Sequence, residues 1–185
     1  MQASVVAVVL AGGKSSRMGQ DKAALYSRVL QTTLLEHSLT CLAQLDDCEV
    51  VISSNTHPAG IKDVVAQCGP LSGMHAVTTH YQAAPPGSGY LFIAVDMPNL
   101  APATLTALLQ FAQQNQCAAY FNASFLPCFL PAKPKLSNII EQQLQHQDRS
   151  IRALLARCGA RSMLLHDQTQ LININHPHDW QQYGG

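Results

Sequence analysis

Unbroken apolar runs take turns along this chain with stretches in which apolar residues recur at helical spacing. Ser4 to Leu10 predicts a first strand, rich in valine. Thr33-x-x-Glu36 is a capping box, and Leu34, Leu35, Leu39, Leu42 and Leu45 behind it predict a helix with one apolar face. Glu49-Val-Val-Ile-Ser53 predicts a second, buried strand. A helix should start just after Gly69-Pro70, on Leu71, Met74, Val77 and Thr78. Tyr90-Leu-Phe-Ile-Ala-Val95 is the most hydrophobic strand and stops at Asp96-Met-Pro98, and Pro102 opens the helix of Leu105, Leu108, Leu109 and Ala112.

The remainder is less regular. Cys117 to Phe121 and Phe125 to Leu130 predict short strands, antiparallel to one another. Helices are expected near 135–147 and 150–158, strands near Ser162–His166 and Leu171–Ile174, and a final helix from Pro177. The glutamines near 142–147 read as a solvated helix face, and Pro85-Pro-Gly-Ser-Gly89 as a surface loop. Strand-helix alternation continues across that loop. The expected architecture is therefore one three-layer α/β domain over residues 1–185 with a mostly parallel central sheet.

Composition removes whole classes of function. At 185 residues the chain can bury a core of its own, and 47% hydrophobic with 12% charged residues suits a folded protein. Eleven basic residues balance eleven acidic ones with no block of like charge, which argues against coating nucleic acid or binding a membrane surface. The N-terminus lacks the basic start of a signal peptide, and no apolar run is long enough to span a bilayer, so a cytoplasmic protein is expected. The six cysteines include no Cys-x-x-Cys pair and are expected as free thiols. His176-Pro-His178 lacks a third metal partner and reads as a solvated turn.

With no global field to attract an anion, a local device must do it. Gly12, Gly13 and Gly19 follow the first strand, and glycines there let backbone N–H groups come close to phosphate. A Walker A loop ending in Gly13-Lys14-Ser15 would need glycine at position 8, which is Val8, and no Gly-x-Gly of the dinucleotide fingerprint is present. What remains is a longer loop carrying Lys14, Arg17 and Lys22, able to surround a triphosphate; the plainer alternative is a glycine-rich turn with exposed basic side chains. Asp96 ends the most apolar strand, where open α/β sheets bind ligands, and a carboxylate there suits Mg²⁺ held jointly with phosphate oxygens. Its alternative is to cap the following helix.

Four blocks now occur in order: Leu10-Ala-Gly-Gly-x-Ser-x-Arg-Met-Gly-x-Asp-Lys22, Gly69-Pro-Leu-Ser-Gly73, Val95-Asp-Met-Pro98 and Asn173-Ile-Asn175-x-Pro177. Together they resemble the molybdenum cofactor guanylyltransferase family over nearly the whole chain. The resemblance implies a Rossmann-like nucleotidyltransferase fold, with residues 1–100 as the nucleotide-binding half and 101–185 as the acceptor-binding half. It implies Mg²⁺-dependent transfer of GMP from GTP to the phosphate of molybdopterin. Backbone contacts to the nucleotide would come from Leu10, Ala11, Gly12 and Gly13. Lys22 would meet phosphate, Asp96 would bind both nucleotide and metal, and Arg17 and Lys22 would offset charge on the leaving pyrophosphate. Ser53, where some members carry asparagine, and Asp63, ahead of the Gly-Pro-Leu block, complete the nucleotide set. Asn173 and Asn175 fall on the acceptor side, or else simply form a turn before a helix. Molybdenum-inserting proteins or target-enzyme chaperones are the delivery partners implied.

One departure from the family stands out. Asn122-Ala-Ser-Phe-Leu-Pro127-Cys-Phe-Leu130 carries no charge where relatives usually have one. Two rival readings stay open. One is a cytidylyl- or sugar-phosphate nucleotidyltransferase on the same fold. The other is a non-catalytic nucleotide-binding protein.

Overall fold

Val5–Leu10 forms β1, and all six of its residues are buried. The computed structural model describes residues 5–12, 22–65, 68–81 and 88–183. A short 3₁₀ turn at Lys22–Ala24 leads into a small antiparallel hairpin, β2 (Tyr26–Ser27) with β3 (Thr32–Thr33). Helix α1 (Leu34–Leu42) then starts as its capping box demands. Thr33 Oγ1 accepts from the Glu36 amide at 3.2 Å, and the Glu36 carboxylate accepts from the Thr33 amide at 3.1 Å. Strand β4 (Cys48–Ser53), helix α2 (Pro70–His80), strand β5 (Gly89–Ala94) and helix α3 (Pro102–Asn115) follow. Both helices have proline in the first turn, where its missing N–H costs nothing.

The second half contributes β6 (Ala119–Phe121), β7 (Ser124–Pro131), α4 (Leu136–Gln145), α5 (Ile151–Arg157), β8 (Arg161–Met163), a 3₁₀ turn at Gln168–Leu171 and α6 (Pro177–Gln181). Six strands form one sheet in the order β4-β1-β5-β7-β6-β8. Strands β4, β1 and β5 run parallel, β7 alone reverses, and β6 and β8 are parallel to each other. The fold is α/β and Rossmann-like, with a mostly parallel sheet drawing strands from both halves of the chain. Phe92, Leu91, Phe121 and Leu130 are fully buried within a core continuous across the sheet.

Several expectations need correction. Strand β4 is not a buried strand but the sheet's edge, and only Ile52 and Ser53 of its six residues are buried. Leu171–Ile174 is not a strand: it begins in a 3₁₀ turn and continues extended, with Ile174 N donating to Asp96 O at 2.9 Å. The strand expected at Ser162–His166 ends at Met163. The glutamine-rich segment is not wholly solvated. Gln143 is buried and donates through Nε2 to Ser150 O at 2.8 Å, tying α4 to the start of α5. Gly89 belongs to β5 and is buried against Phe129, while Pro85, Pro86 and Gly87 of the expected loop lie outside the described residues.

The six cysteines are free thiols, three of them buried. Burial pushes the Cys41 and Cys48 thiols up to about 11, so neither is a ready nucleophile. Among the described residues no helix is long and apolar enough to cross a membrane.

Candidate nucleotide and phosphate site

The parallel arrangement of β4, β1 and β5 brings three strand ends to one place. Ala11 N donates to Ser53 O at 2.9 Å, and Val95 N donates to Leu10 O at 3.3 Å. The exit of β1 is thus clamped between the exits of β4 and β5. Gly12 emerges exposed from this clamp. Among the described residues, a Cβ added to it would meet only Ser53 O, at the ordinary contact distance of 3.8 Å. Nothing among the described residues requires a glycine there, whereas close approach of a ligand to the backbone would. Gly13 and Arg17 lie outside the described residues, as do Lys14 and Gly19.

Ser53 sits at the end of β4 with its hydroxyl turned under α2. A methyl group at Gly73 would collide with Ser53 Oγ, so the glycine allows α2 to lie directly on the ends of β1 and β4. Gly69, before the helix, has φ +67°, a left-handed conformation that strains any other residue. Asp63 lies beside the exit of β4, two residues after Ile61, which bridges Ser53 in parallel. It closes the loop after β4, accepting from Asn55 Nδ2 at 2.9 Å while its amide donates to Asn55 Oδ1 at 2.9 Å. Sequence reasoning missed Asn55. The only signal was its place two residues beyond the strand, in a polar run.

Asp96 stands two residues beyond β5 and is not a helix cap. Helix α3 begins at Pro102, and its N-cap is Ala101, with no side-chain cap bond. The Asp96 carboxylate instead accepts from Lys22 Nζ at 2.7 Å, and the two side chains are only 14% and 17% exposed. The same Nζ lies 3.2 Å from Asn175 Oδ1. Residues separated by as many as 153 positions therefore meet at one ammonium group.

How Asn175 arrives is visible in the backbone. The extended segment 172–175 bonds to Asp96 O through Ile174 N, and the Ile174 side chain is fully buried. The start of α6 is capped by Asp179, whose carboxylate accepts from the amides of Asn175 at 3.0 Å and His176 at 2.9 Å. Those bonds hold the Asp179 carboxyl below its usual range. Capping is thereby done by another residue, and the Asn175 amide is left to face Lys22. Asn173 is half-buried, and its Oδ1 is buried with no hydrogen-bond partner among the described residues.

The C-terminal segment is strapped down near the same site. Asn99 Nδ2 donates to Tyr183 Oη at 2.8 Å, and Ser27 Oγ donates to Tyr183 O at 2.5 Å. Neither Asn99 nor Tyr183 carried a sequence signal. His178 is well exposed but lies in the first turn of α6 and not in a loop turn, with Nε2 2.9 Å from Asp179 Oδ1. Among the described residues no group of three or more His, Cys, Asp or Glu is placed to hold a metal by itself. Asp96 is a single carboxylate, so a divalent ion there would need oxygens from its ligand. An open cavity of about 700 Å³ along the outer edge of β4, bordered by Val50, Ile61, Ala76 and Tyr81, contains none of the predicted site residues.

Comparison with known proteins accounts for this geometry over nearly all of the chain. The model of the MobA-like NTP transferase domain matches residues 7–163. A protein of Xanthomonas euvesicatoria pv. vesicatoria named molybdenum cofactor guanylyltransferase is 35% identical over 179 residues, covering 94% of this chain and 90% of that protein. A Mycobacterium avium protein named probable molybdenum cofactor guanylyltransferase is 31% identical over 181 residues, covering 91% and 89%. Among solved structures, the molybdopterin-guanine dinucleotide biosynthesis protein A of Archaeoglobus fulgidus superposes with a TM-score of 0.71 at 18% identity, over 96% of each chain. The 2-C-methyl-D-erythritol 4-phosphate cytidylyltransferase of Thermus thermophilus shares the fold with a TM-score of 0.65 at 14% identity, again over 96% of each chain. By the extent of the match, and not by one motif alone, this chain belongs to the family of MobA-like NTP transferase domains.

Proposed function

We propose that this protein transfers GMP from GTP to the phosphate of molybdopterin, releasing pyrophosphate and making the guanine dinucleotide form of the molybdenum cofactor. The observation that carries the reading is the convergence of Lys22, Asp96 and Asn175 at the exits of the parallel strands, within 3.2 Å of a single ammonium group. The names of the relatives most similar in sequence favour the guanylyl branch over a cytidylyl one.

The chemistry needs no protein nucleophile. An acceptor phosphate oxygen attacks the α-phosphorus of GTP in line, and a new P–O bond forms there. The bond from the α-phosphorus to the bridging oxygen breaks, and its electron pair leaves with pyrophosphate. Positioning and charge neutralisation supply most of the catalysis in such reactions. The backbone of Leu10, Ala11, Gly12 and Gly13 would cradle the nucleotide, with Ser53 and Asp63 flanking it. Lys22 and Arg17 would offset the charge of the departing pyrophosphate, and Asn173 and Asn175 would face the acceptor. Asp96 would hold Mg²⁺, which when bound neutralises phosphate charge. The position suits a cation, because an ammonium already lies 2.7 Å from the carboxylate. GTP and molybdopterin are thus the small-molecule partners. Delivery from a molybdenum-inserting protein and onward to a target-enzyme chaperone, in the cytoplasm, completes the proposal.

The test is pyrophosphate release with molybdopterin supplied and GTP, CTP and UTP in competition. Preference for GTP is the expected result. Preference for CTP would move the assignment to cytidylyl transfer, and tight GTP binding without pyrophosphate release would make this a nucleotide-binding protein without the activity.

A further inference from the structure

Lys22 occupies the carboxylate that the proposed reading gives to the divalent ion. Its Nζ lies 2.7 Å from Asp96 Oδ2, and both side chains are largely shielded from water. An Mg²⁺ ion coordinates oxygen at about 2.1 Å. An ion on Asp96 would therefore sit against the ammonium, at a separation where like charges repel strongly even under partial solvent screening. The two cations compete for one place.

Asn175 biases that competition. Its backbone is placed by the bond of its own amide N–H to the Asp179 carboxylate and by that of Ile174 N to Asp96 O. The Asn175 Oδ1 then accepts from the ammonium at 3.2 Å. Lys22, by contrast, heads a short 3₁₀ turn and carries a flexible four-carbon stem, so its head can move while its backbone stays. A triphosphate entering at Gly12 would offer that head several anionic oxygens in place of the Asp96 carboxylate.

We infer that Lys22 is an internal stand-in for the divalent ion, held on Asp96 by Asn175 until the phosphates of a nucleotide draw it away. This rests on the reading of Asp96 as the metal-holding carboxylate. Asn175 is then a positioning residue, acting through Lys22. The consequence is that a divalent ion binds the empty protein poorly and binds well only together with a nucleoside triphosphate.

Manganese binding to the nucleotide-free full-length protein tests this, using the electron paramagnetic resonance signal of unbound Mn²⁺. Lys22→Met and Lys22→Gln should each raise Mn²⁺ affinity about tenfold or more, the scale on which a neighbouring charge shifts an ionisation equilibrium. Asn175→Ala should give a smaller gain in the same direction. Adding Asp96→Asn to Lys22→Met should erase the gain, and a non-hydrolysable GTP analogue should raise wild-type affinity. Thermal melts establish that each variant is folded. Affinity within about twofold of wild type in both Lys22 variants, or a gain that survives Asp96→Asn, overturns the inference. The readout involves no turnover. A gain in Mn²⁺ affinity without guanylyl transfer would leave the stand-in role and remove the proposed activity. Transfer without the gain would do the opposite.

Discussion

The two halves of this molecule solve the problem of placing a functional residue in opposite ways. In residues 5–100 the parallel strands β4, β1 and β5 are in register, and their last residues, Ser53, Leu10 and Ala94, stand side by side. Whatever follows a strand end is delivered to the site by the ladder itself. In residues 101–183 strand β7 reverses, and the residue that reaches the site comes from an extended segment joined to Asp96 by a backbone bond from Ile174. There the position of Asn175 depends on a buried isoleucine and a few polar ties. The first arrangement is rigid by construction, while the second is adjustable, which suits the side that must receive a bulky acceptor.

Breaking the contrast at its most sensitive point means removing the carboxylate. Asp96→Asn should lower pyrophosphate release about a hundredfold or more while the melting curve stays close to wild type, since the loss is of electrostatic stabilisation and not of packing. The adjustable half should show the reverse pattern. Ile174 is fully buried, and Ile174→Ala should cost about 2–4 kcal/mol in denaturant unfolding and weaken the response to acceptor more than GTP binding. Tyr183→Phe removes the oxygen that accepts from Asn99 at 2.8 Å and should cost about 1 kcal/mol, read the same way. Gly12→Ala should be nearly silent in stability, within about 0.5 kcal/mol, yet weaken GTP binding measured by calorimetry, because among the described residues the Cβ meets nothing closer than 3.8 Å.

A pH series sharpens the comparison on the packed side of the sheet. Burial lowers the His75 pKa below its ordinary 6.5, against a smaller opposing pull from Glu141, and its Nδ1 is buried with no partner among the described residues. The unfolded chain then takes up a proton that the folded one refuses. The stability contributed by His75 is full above pH 6.5 and falls as the pH drops below it. His75→Leu should flatten that part of the stability profile.

How much could be read in advance follows the same division. Thr33, Glu36, Pro70 and Pro102 announce their helices because capping and proline placement are local effects. The antiparallel pairing of β6 with β7 was also legible, from two apolar runs separated by a polar turn. The sheet-edge status of β4 was not, since Val50 and Val51 look the same whether or not a neighbour covers them. Gln143 is buried with its Nε2 donating to Ser150 O, a partnership that no periodicity encodes. In the site, Lys22 and Asp96 were expected to be functional and Asn175 either to face the acceptor or to form a turn, but their meeting at one ammonium group depends on the backbone bond of Ile174 to Asp96. Asn99 and Tyr183 were invisible because they are partners across 84 positions of the chain, and Asn55 because its partner Asp63 is set by the path of one loop.

The most direct test of guanylyl transfer follows the α-phosphate of GTP. With molybdopterin and Mg²⁺ present, α-labelled GTP should pass its label to a molybdopterin-containing product, while γ-labelled GTP gives labelled pyrophosphate. An α-label that remains in GTP, or appears only as free GMP, would contradict the account.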